Sequence, residues 1–366
     1  MNDRNHRVAL VGAGRIAAVH HGYAKQVPNA QVVAVCDADR SRAEDFAREK
    51  GIPAFYDDLE KLLAAEQPNI VHIVTPPATH AQLAVAAMEG GANVMVEKPM
   101  AMTVEDCDRM IAAAERYGRR LCVDHNRLFD PVILKARQLV DSGALGEVVS
   151  VEALQGVNPV EAGSAPGQEA HWSVSDPFAP LYNLGPHPLY LATHFLGPVS
   201  DFTITGAPIG DDGLLREIRV LLEGQGRFGV VTFSMGAQPY LNHVNVYGTK
   251  GTLRANLNTM ALTVERVRNL PKMVAKFTAN LEPAAQLVGS TIETVLAVAL
   301  RRMKTYPGIG QNIRRFYKSL DQGDIPPVSP ESGRENVLLL REIEEHFRQE
   351  PSGSAKLEER DEPWTS

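Results

Sequence analysis

Three small residues open the chemistry of this chain. Gly12, Gly14 and Ala17 are spaced Gly-x-Gly-x-x-Ala, directly after the apolar run Arg7-Val8-Ala9-Leu10-Val11 and before a helix-like segment reaching about Lys25. Gly12 lets the backbone turn sharply, Gly14 lets a pyrophosphate come close, and Ala17 lets the helix lie against the strand. The free N–H groups at that helix start would face the phosphates. A second apolar run, Gln31 to Cys36, ends in Asp37, twenty residues beyond Ala17. There a carboxylate accepts hydrogen bonds from the adenosine ribose hydroxyls. Alone, the glycine pattern is also that of a βα turn that binds nothing. A strand before it, a helix after it and an acid closing the next strand favour a dinucleotide. Asp37 would repel a 2′-phosphate, which favours NAD, while Arg40 and Arg42 keep NADP open.

The elements that must carry these residues alternate. Arg40 to Lys50 has helical spacing, with Ala43, Phe46 and Ala47 on one face and Gly51 as its stop. Asp57 to Ala65 follows as a short helix. Asn69 to Val74 is apolar and β-branched and ends in Thr75-Pro76-Pro77, so the chain turns where α/β sheets bind ligands. Thr79 to Gly90 reads as helix, Asn93 to Val96 as a buried strand closed by Glu97-Lys98-Pro99, Thr103 to Tyr117 as helix and Arg120 to Asp124 as strand. Repeated βα units of this kind specify a doubly wound parallel sheet over residues 1–125.

From His125-Asn126-Arg127 the texture changes. One more helix, Pro131 to Ser142, stops at Gly143, and strands then dominate: Glu147 to Gln155, Ser200 to Thr205, Arg216 to Leu222, Arg227 to Ser234, His243 to Tyr247 and Thr252 to Ala255. Gly224-Gln225-Gly226 joins two of them as a hairpin. Residues 126–350 are therefore expected to form an α+β domain around a large, mostly antiparallel open sheet. Trp172 to Gly197 reads as loop then helix, Gly333 to Gln349 as a final amphipathic helix, and 351–366 as a polar, disordered tail. Leu270 to Lys304 has apolar residues near helical spacing, with Pro283 as the expected break between two amphipathic helices. Lys272, Lys276, Arg301, Arg302 and Lys304 could touch anionic lipid, but packing on the open sheet or a second subunit is the favoured expectation.

Composition narrows the partners. Net charge is −7 over 366 residues and no basic run could track a phosphate backbone, so nucleic acid is not expected. Cys36, Cys107 and Cys122 lack metal-type spacing and read as reduced core residues. The first residues lack the apolar core of a signal peptide, and no uncharged run of about 18 residues occurs. A cytoplasmic protein and a homo-oligomer acting on a small molecule are the expectation, with no membrane partner.

The glycine loop, Thr75-Pro76-Pro77 and Glu97-Lys98-Pro99 in this order, followed by a β-rich half, resemble the Gfo/Idh/MocA family of nicotinamide-dependent oxidoreductases over about residues 7–348. The resemblance implies hydride transfer between NAD(P) and a hydroxyl or ketone of a sugar, a cyclitol or a nucleotide sugar. It leaves open a redox glycosidase with tightly held NAD and a non-catalytic dinucleotide-binding regulator. It also implies a cofactor-binding set of Gly12, Gly14, Arg15, Ile16, Asp37, Thr75, Pro76, His80, Glu97 and Lys98. Lys98 matches the lysine that lies between nicotinamide and substrate, and Pro99 implies a cis Lys-Pro bond that aims the amine. The family's Asp-x-x-x-His appears as Asn183-Leu184-Gly185-Pro186-His187, so His187 matches while Asn183 replaces the acid, and Tyr190 stands where an acid is frequent. Asn126 and Arg127 match an element that reaches substrate or pins the domain junction, and His171 and Trp172 are expected to line the pocket.

Oxidising an alcohol requires a base for the hydroxyl proton and a cation for developing alkoxide charge. His187 suits the first role and Lys98 the second, with Asn183 one helical turn from His187 to orient its ring. His171, His187 and His194 do not make a metal site. His187 and His194 are about 10 Å apart along one helix, too far to share an ion, and no zinc-type spacing occurs elsewhere.

Overall fold

The computed structural model describes residues 6–156, 178–209, 214–235, 237, 239–267, 270–300 and 303–349. His171, Trp172 and the tail 351–366 lie outside them. The first layer is a six-stranded sheet of β1 (His6–Val11), β2 (Ala30–Cys36), β3 (Ala54–Tyr56), β4 (Ile70–Ile73), β5 (Asn93–Glu97) and β6 (Leu121–Asp124). Its order is β3-β2-β1-β4-β5-β6 and every pairing is parallel. The order reverses between β1 and β4, which opens a crevice at the strands' carboxyl ends. Helices α1 (Arg15–Ala24), α2 (Arg40–Lys50), α3 (Leu59–Glu66), α4 (His80–Glu89) and α5 (Val104–Tyr117) connect these strands. Local chemistry sets their ends. The Asp39 carboxylate accepts from the N–H groups of Ser41 and Arg42 at the start of α2, and Gly51 ends it in the left-handed region. Thr103 and Gly118 do the same for α5.

After α6 (Pro131–Asp141), the second sheet holds β7 (Val148–Gly156), β8 (Asp201–Ile209), β9 (Leu214–Gly224), β10 (Arg227–Ser234), β11 (Leu241–Gly248), β12 (Gly251–Asn256) and β13 (Ala261–Arg266). Its order is β13-β12-β11-β7-β10-β9-β8, antiparallel except where β7 runs parallel to β10. One face packs on α7 (Ala179–Leu184) and α8 (Pro186–Leu196). On the other face Leu221, Phe228 and Val230 stay exposed. A parallel sheet whose central strands are buried on both faces and an antiparallel sheet with an open face match the expected fold class.

Three features depart from the sequence expectation. First, the break in 270–304 falls at Ala279 and Asn280, between α9 (Lys272–Thr278) and α10 (Leu281–Ala299), and not at Pro283. Pro283 sits in the first turn of α10, where its missing N–H had no intrahelical partner to lose. Second, β13 forms an edge strand that α10 closes. Gln286 takes the N–H of Val264 at 2.6 Å and donates to its carbonyl at 3.0 Å. Third, the chain returns to the first sheet through α11 (Pro307–Gln322), which buries Ile309, Ile313, Phe316 and Tyr317 in the same core as β1 and β4. The last helix, α12 (Pro330–Gln349), gives Val337 to that core and Leu340, Ile343 and Phe347 to the second. A cut between residues 125 and 126 therefore separates the sheets but not the cores. No helix among the described residues is long and apolar enough to cross a membrane.

Candidate active site

The glycine loop is built as its spacing requires. Gly12 has φ +105°, and a Cβ there would lie 2.8 Å from the Val74 carbonyl oxygen, so a side chain is excluded by conformation and by space. Gly14 faces open space, with nothing within 4 Å of where its Cβ would be, at the start of α1. Arg15 is exposed and Ile16 half-buried beside it. Asp37 braces the loop: its Oδ2 accepts from the Ala13 N–H at 2.8 Å, and Oδ1 from the Asp39 N–H at 3.0 Å. Arg42 lies 3.7 Å from both Asp37 and Asp39, and Arg40 lies 3.7 Å from Asp57 and over the Phe55 ring. A bare cradle over a helix N-terminus, with a carboxylate at the end of β2, fits a dinucleotide.

Next along the crevice, Thr75 and Thr79 hydroxyls bond at 2.7 Å beside Pro76, and Thr79 donates to the Pro76 carbonyl. His80 is buried, with Nε2 2.9 Å from the Thr75 carbonyl and Nδ1 3.0 Å from the Pro99 carbonyl. Both ring nitrogens face carbonyl oxygens, and burial favours the neutral ring, so its single N–H donates to one of them and ties His80 into the ends of β4 and β5. Glu97 is similarly turned inward: Oε2 accepts from the Lys98 N–H at 3.2 Å and Oε1 lies 3.1 Å from His20 Nε2.

Lys98 follows β5 through a cis bond to Pro99. Its amine donates to the backbone carbonyl of Asn183 and stands 3.5 Å from Asn183 Oδ1. Burial lowers its proton affinity to about 8, against the opposing pull of Glu97. Asn183, near the end of α7, therefore serves Lys98 and not His187. The reason is the Gly185-Pro186 joint, which starts α8 afresh after α7 and breaks the expected one-turn pairing.

Tyr190 holds His187 instead, its hydroxyl 2.7 Å from Nδ1. That hydroxyl also accepts from the Arg127 backbone N–H at 3.1 Å and donates to Asn126 Oδ1 at 3.4 Å. With Asn126 Oδ1 as the acceptor of the Tyr190 hydroxyl, His187 Nδ1 carries the proton and donates to Tyr190, which leaves Nε2 with its lone pair. Nε2 has no partner among the described residues. Burial, then the charges of Lys98 and Arg127, hold His187 well below its ordinary pKa, so it is neutral. His125 stacks on Tyr190 at 4.3 Å and fixes its plane. The Arg127 side chain pairs with Asp130 at 3.3 Å and borders a cavity of about 510 Å³ with Tyr240, Asn258 and Tyr306.

Lys98, Asn183, His187, Tyr190, Asn126 and Arg127 thus meet at one place, across the junction of the two sheets. Sequence reasoning missed His20, His72, Asp124, His125 and Tyr317, all buried close behind it. One signal was available: His72 interrupts the run Ile70-Val71-His72-Ile73, and a histidine in a fully buried strand needs a polar partner. His20, Glu97 and Asp124 place three possible ligand atoms within 4.8 Å of one another, a grouping no sequence spacing revealed.

A Rossmann sheet with a dinucleotide cradle, joined to an open antiparallel sheet at a half-buried lysine, defines a class of two-domain dinucleotide-binding proteins. The chain belongs to the Gfo/Idh/MocA oxidoreductase family. Residues 6–125 match its NAD-binding Rossmann fold and residues 133–254 its C-terminal domain. D-glucoside 3-dehydrogenase of Escherichia coli is 33% identical over 194 residues, 52% of this chain and 54% of that one. The chain thus matches about half the length of this curated relative. Myo-inositol 2-dehydrogenase of Thermotoga maritima is 25% identical over 96% of this chain and 99% of its own. The WlbA dehydrogenase of Bordetella pertussis, solved with NADH and UDP-GlcNAcA, superposes with a TM-score of 0.76 at 21% identity, covering 96% of this chain and 97% of that one.

Proposed function

We propose that this chain is an NAD-dependent dehydrogenase that interconverts a hydroxyl and a ketone on a sugar, a cyclitol or a nucleotide-sugar-like substrate. The observation that carries the reading is the half-buried Lys98, whose amine at the end of β5 is shared with Asn183 at the junction of the two sheets. Gly12, Gly14, the start of α1 and Asp37 would hold the cofactor, which supplies the hydride acceptor when bound. The relatives named as glucoside and inositol dehydrogenases support the substrate class.

The chain's own groups divide the remaining work. As the alcohol is oxidised its hydroxyl proton must leave, and a base functions best when its pKa lies near the working pH. Lys98, lowered to about 8, meets that condition, whereas His187 is held too low. The roles expected from residue type therefore change: the reacting hydroxyl donates to the neutral amine of Lys98, which takes its proton, and the neutral Nε2 of His187 accepts from a neighbouring hydroxyl of the substrate and so orients it. Tyr190 keeps His187 in the tautomer that allows this. Arg127, Asn126 and the adjoining cavity would meet the rest of the substrate.

A panel of sugars, cyclitols and nucleotide sugars, followed by NADH absorbance and by product analysis, tests the reading. Sugar release without net NADH would instead indicate a redox glycosidase, and no turnover with any member a regulator. NAD preference rests on Asp37, with Arg40 and Arg42 already beside carboxylates. Titration should show NAD binding tighter than NADP, with the gap narrowed about ten-fold in Asp37→Ser as like-charge repulsion is removed.

The same reading includes a homo-oligomer in the cytoplasm. Leu281, Val288, Ile292, Val295 and Leu296 on α10 are each more than half exposed, an apolar stripe of the kind that marks an interface. The three cysteines are free and buried, which suits a reducing compartment. Leu296→Glu should lower the mass seen by light scattering while leaving the monomer folded. An unchanged mass would remove α10 from the interface.

A further inference from the structure

Behind Lys98, inside the first core, a line of polar side chains crosses the sheet. His20 on α1, His72 on β4, Glu97 on β5, Asp124 on β6 and Tyr317 on α11 are all buried. Glu97 Oε1 lies 3.1 Å from His20 Nε2, His20 Nδ1 lies 3.0 Å from His72 Nδ1, and His72 Nε2 lies 2.9 Å from the Tyr317 hydroxyl. Asp124 Oδ1 accepts from Asn312 at 2.7 Å, while its Oδ2 sits 3.5 Å from His20 Nε2 with no hydrogen-bond partner. None of these contacts is used by the glycine loop or by His187.

Two facing Nδ1 atoms at 3.0 Å require one proton between them, since two N–H groups or two lone pairs would repel. If His20 owns that proton it is an imidazolium, donating to Glu97 from one nitrogen and to His72 from the other. His72 then donates its Nε2–H to Tyr317. If His72 owns it, His20 is neutral and the Tyr317 hydroxyl turns to donate to His72. Two carboxylates beside His20 favour the first state. Burial disfavours the cation, but Asp124 and Glu97 outweigh it and raise His20 to about 9. His72 stays neutral, being held down by burial and by the charge of His20.

We infer that His20, His72 and Tyr317 are positioning residues for the reaction, which hold a buried positive charge against Glu97 and thereby set the proton affinity of Lys98. The inference rests on the dehydrogenase reading only for its use, not for its chemistry. Glu97 faces His20, Lys98 and His80; Lys98 faces Glu97, Arg127 and Asp124, with His125 and His187 neutral beside it. While His20 is charged it cancels much of the Glu97 field at Lys98, so burial wins and the amine can serve as a base. When His20 is neutral, the Glu97 charge acts undiminished and Lys98 holds its proton more tightly. Tyr317 extends the device to α11, so the return of the chain to the first sheet bears on the site.

The test uses the full chain without cofactor or substrate. Ring-nitrogen NMR of the histidines and ¹³Cε NMR of the lysines follow His20 and Lys98 against pH in wild type, His72→Leu and His72→Asn. Wild-type His20 should be doubly protonated at neutral pH and titrate near 9, with Lys98 near 8. Leucine suits the apolar strand but leaves the His20 Nδ1–H without an acceptor, which should cut its proton affinity about ten-fold or more. Lys98 should then titrate at higher pH. Asparagine places an acceptor oxygen near the lost Nδ1 and should return both groups toward wild type. A neutral His20 in wild type at pH 7, an unmoved Lys98 in His72→Leu, or a stoichiometric metal ion bound at His20 would each overturn the inference. Failure of the dehydrogenase reading would appear separately, as no NADH from the substrate panel with these titrations unchanged.

Discussion

Two buried histidines lie on either side of the Glu97-Lys98 strand end, one neutral and one held as a cation. His187 bonds to Tyr190; His20 bonds to His72, which bonds to Tyr317. Desolvation pushes both toward the neutral ring, so burial does not distinguish them. Their neighbours do. Lys98 and Arg127 keep His187 neutral, whereas Asp124 and Glu97 make His20 a cation. Lys98 sits on the boundary between a cationic substrate side and an anionic sheet side. Its own proton affinity is the balance of the two, and residue type alone does not give that balance.

Removing the boundary should have the largest effect. Lys98→Met deletes the proposed base, and kcat/KM should fall by about 10²- to 10⁴-fold in steady-state assays of a folded, cofactor-binding variant. The variant should also lose the limb near pH 8, because the group that titrates there is gone. A rate within a few-fold of wild type would transfer the base to His187 and erase the distinction between the two sides.

A smaller loss is expected on the substrate side alone. Tyr190→Phe leaves the Arg127 N–H and the His187 Nδ1–H without their acceptor and frees His187 to flip its tautomer. An unpaired buried donor costs roughly 1–3 kcal/mol, so kcat/KM should drop about ten- to a hundred-fold, with the position of the pH limb little changed. A shifted limb with an unchanged plateau would mean that Tyr190 acts on Lys98 and not on His187.

The mildest change sharpens the comparison most. Asn183→Asp puts a carboxylate where the amide oxygen is now 3.5 Å from the lysine amine. The base must be neutral to act, so oxidation should rise with pH through about 8 in wild type. An added anion favours the charged amine, and the rise should move to higher pH by about one unit while the plateau is kept. If the limb stays in place, Asn183 does not govern the charge of Lys98.

Much of this was legible from short-range pattern. The run Arg7 to Val11, the glycine spacing and Asp37 lie within one βα unit, and Gly12 meets Val74 as closely as its lack of a side chain allows. Glu97-Lys98-Pro99 and His187 were visible as motifs. The partner of His187 was not, because a proline and a glycine between α7 and α8 turned Asn183 toward Lys98, 85 residues away in sequence. The His20–His72 contact spans 52 residues and the His72–Tyr317 contact 245.

What the sequence by itself determined is therefore the set of local units: strand, glycine loop, helix and the acid or lysine that ends a strand, because spacing within one unit already places those groups. The charge of the groups around Lys98 was decided only in the tertiary structure. It depends on which strand lies beside which and on α11 returning to the first sheet. Proton affinity in a buried site follows the few charges within several ångströms, and strand order brings those together from distant parts of the chain.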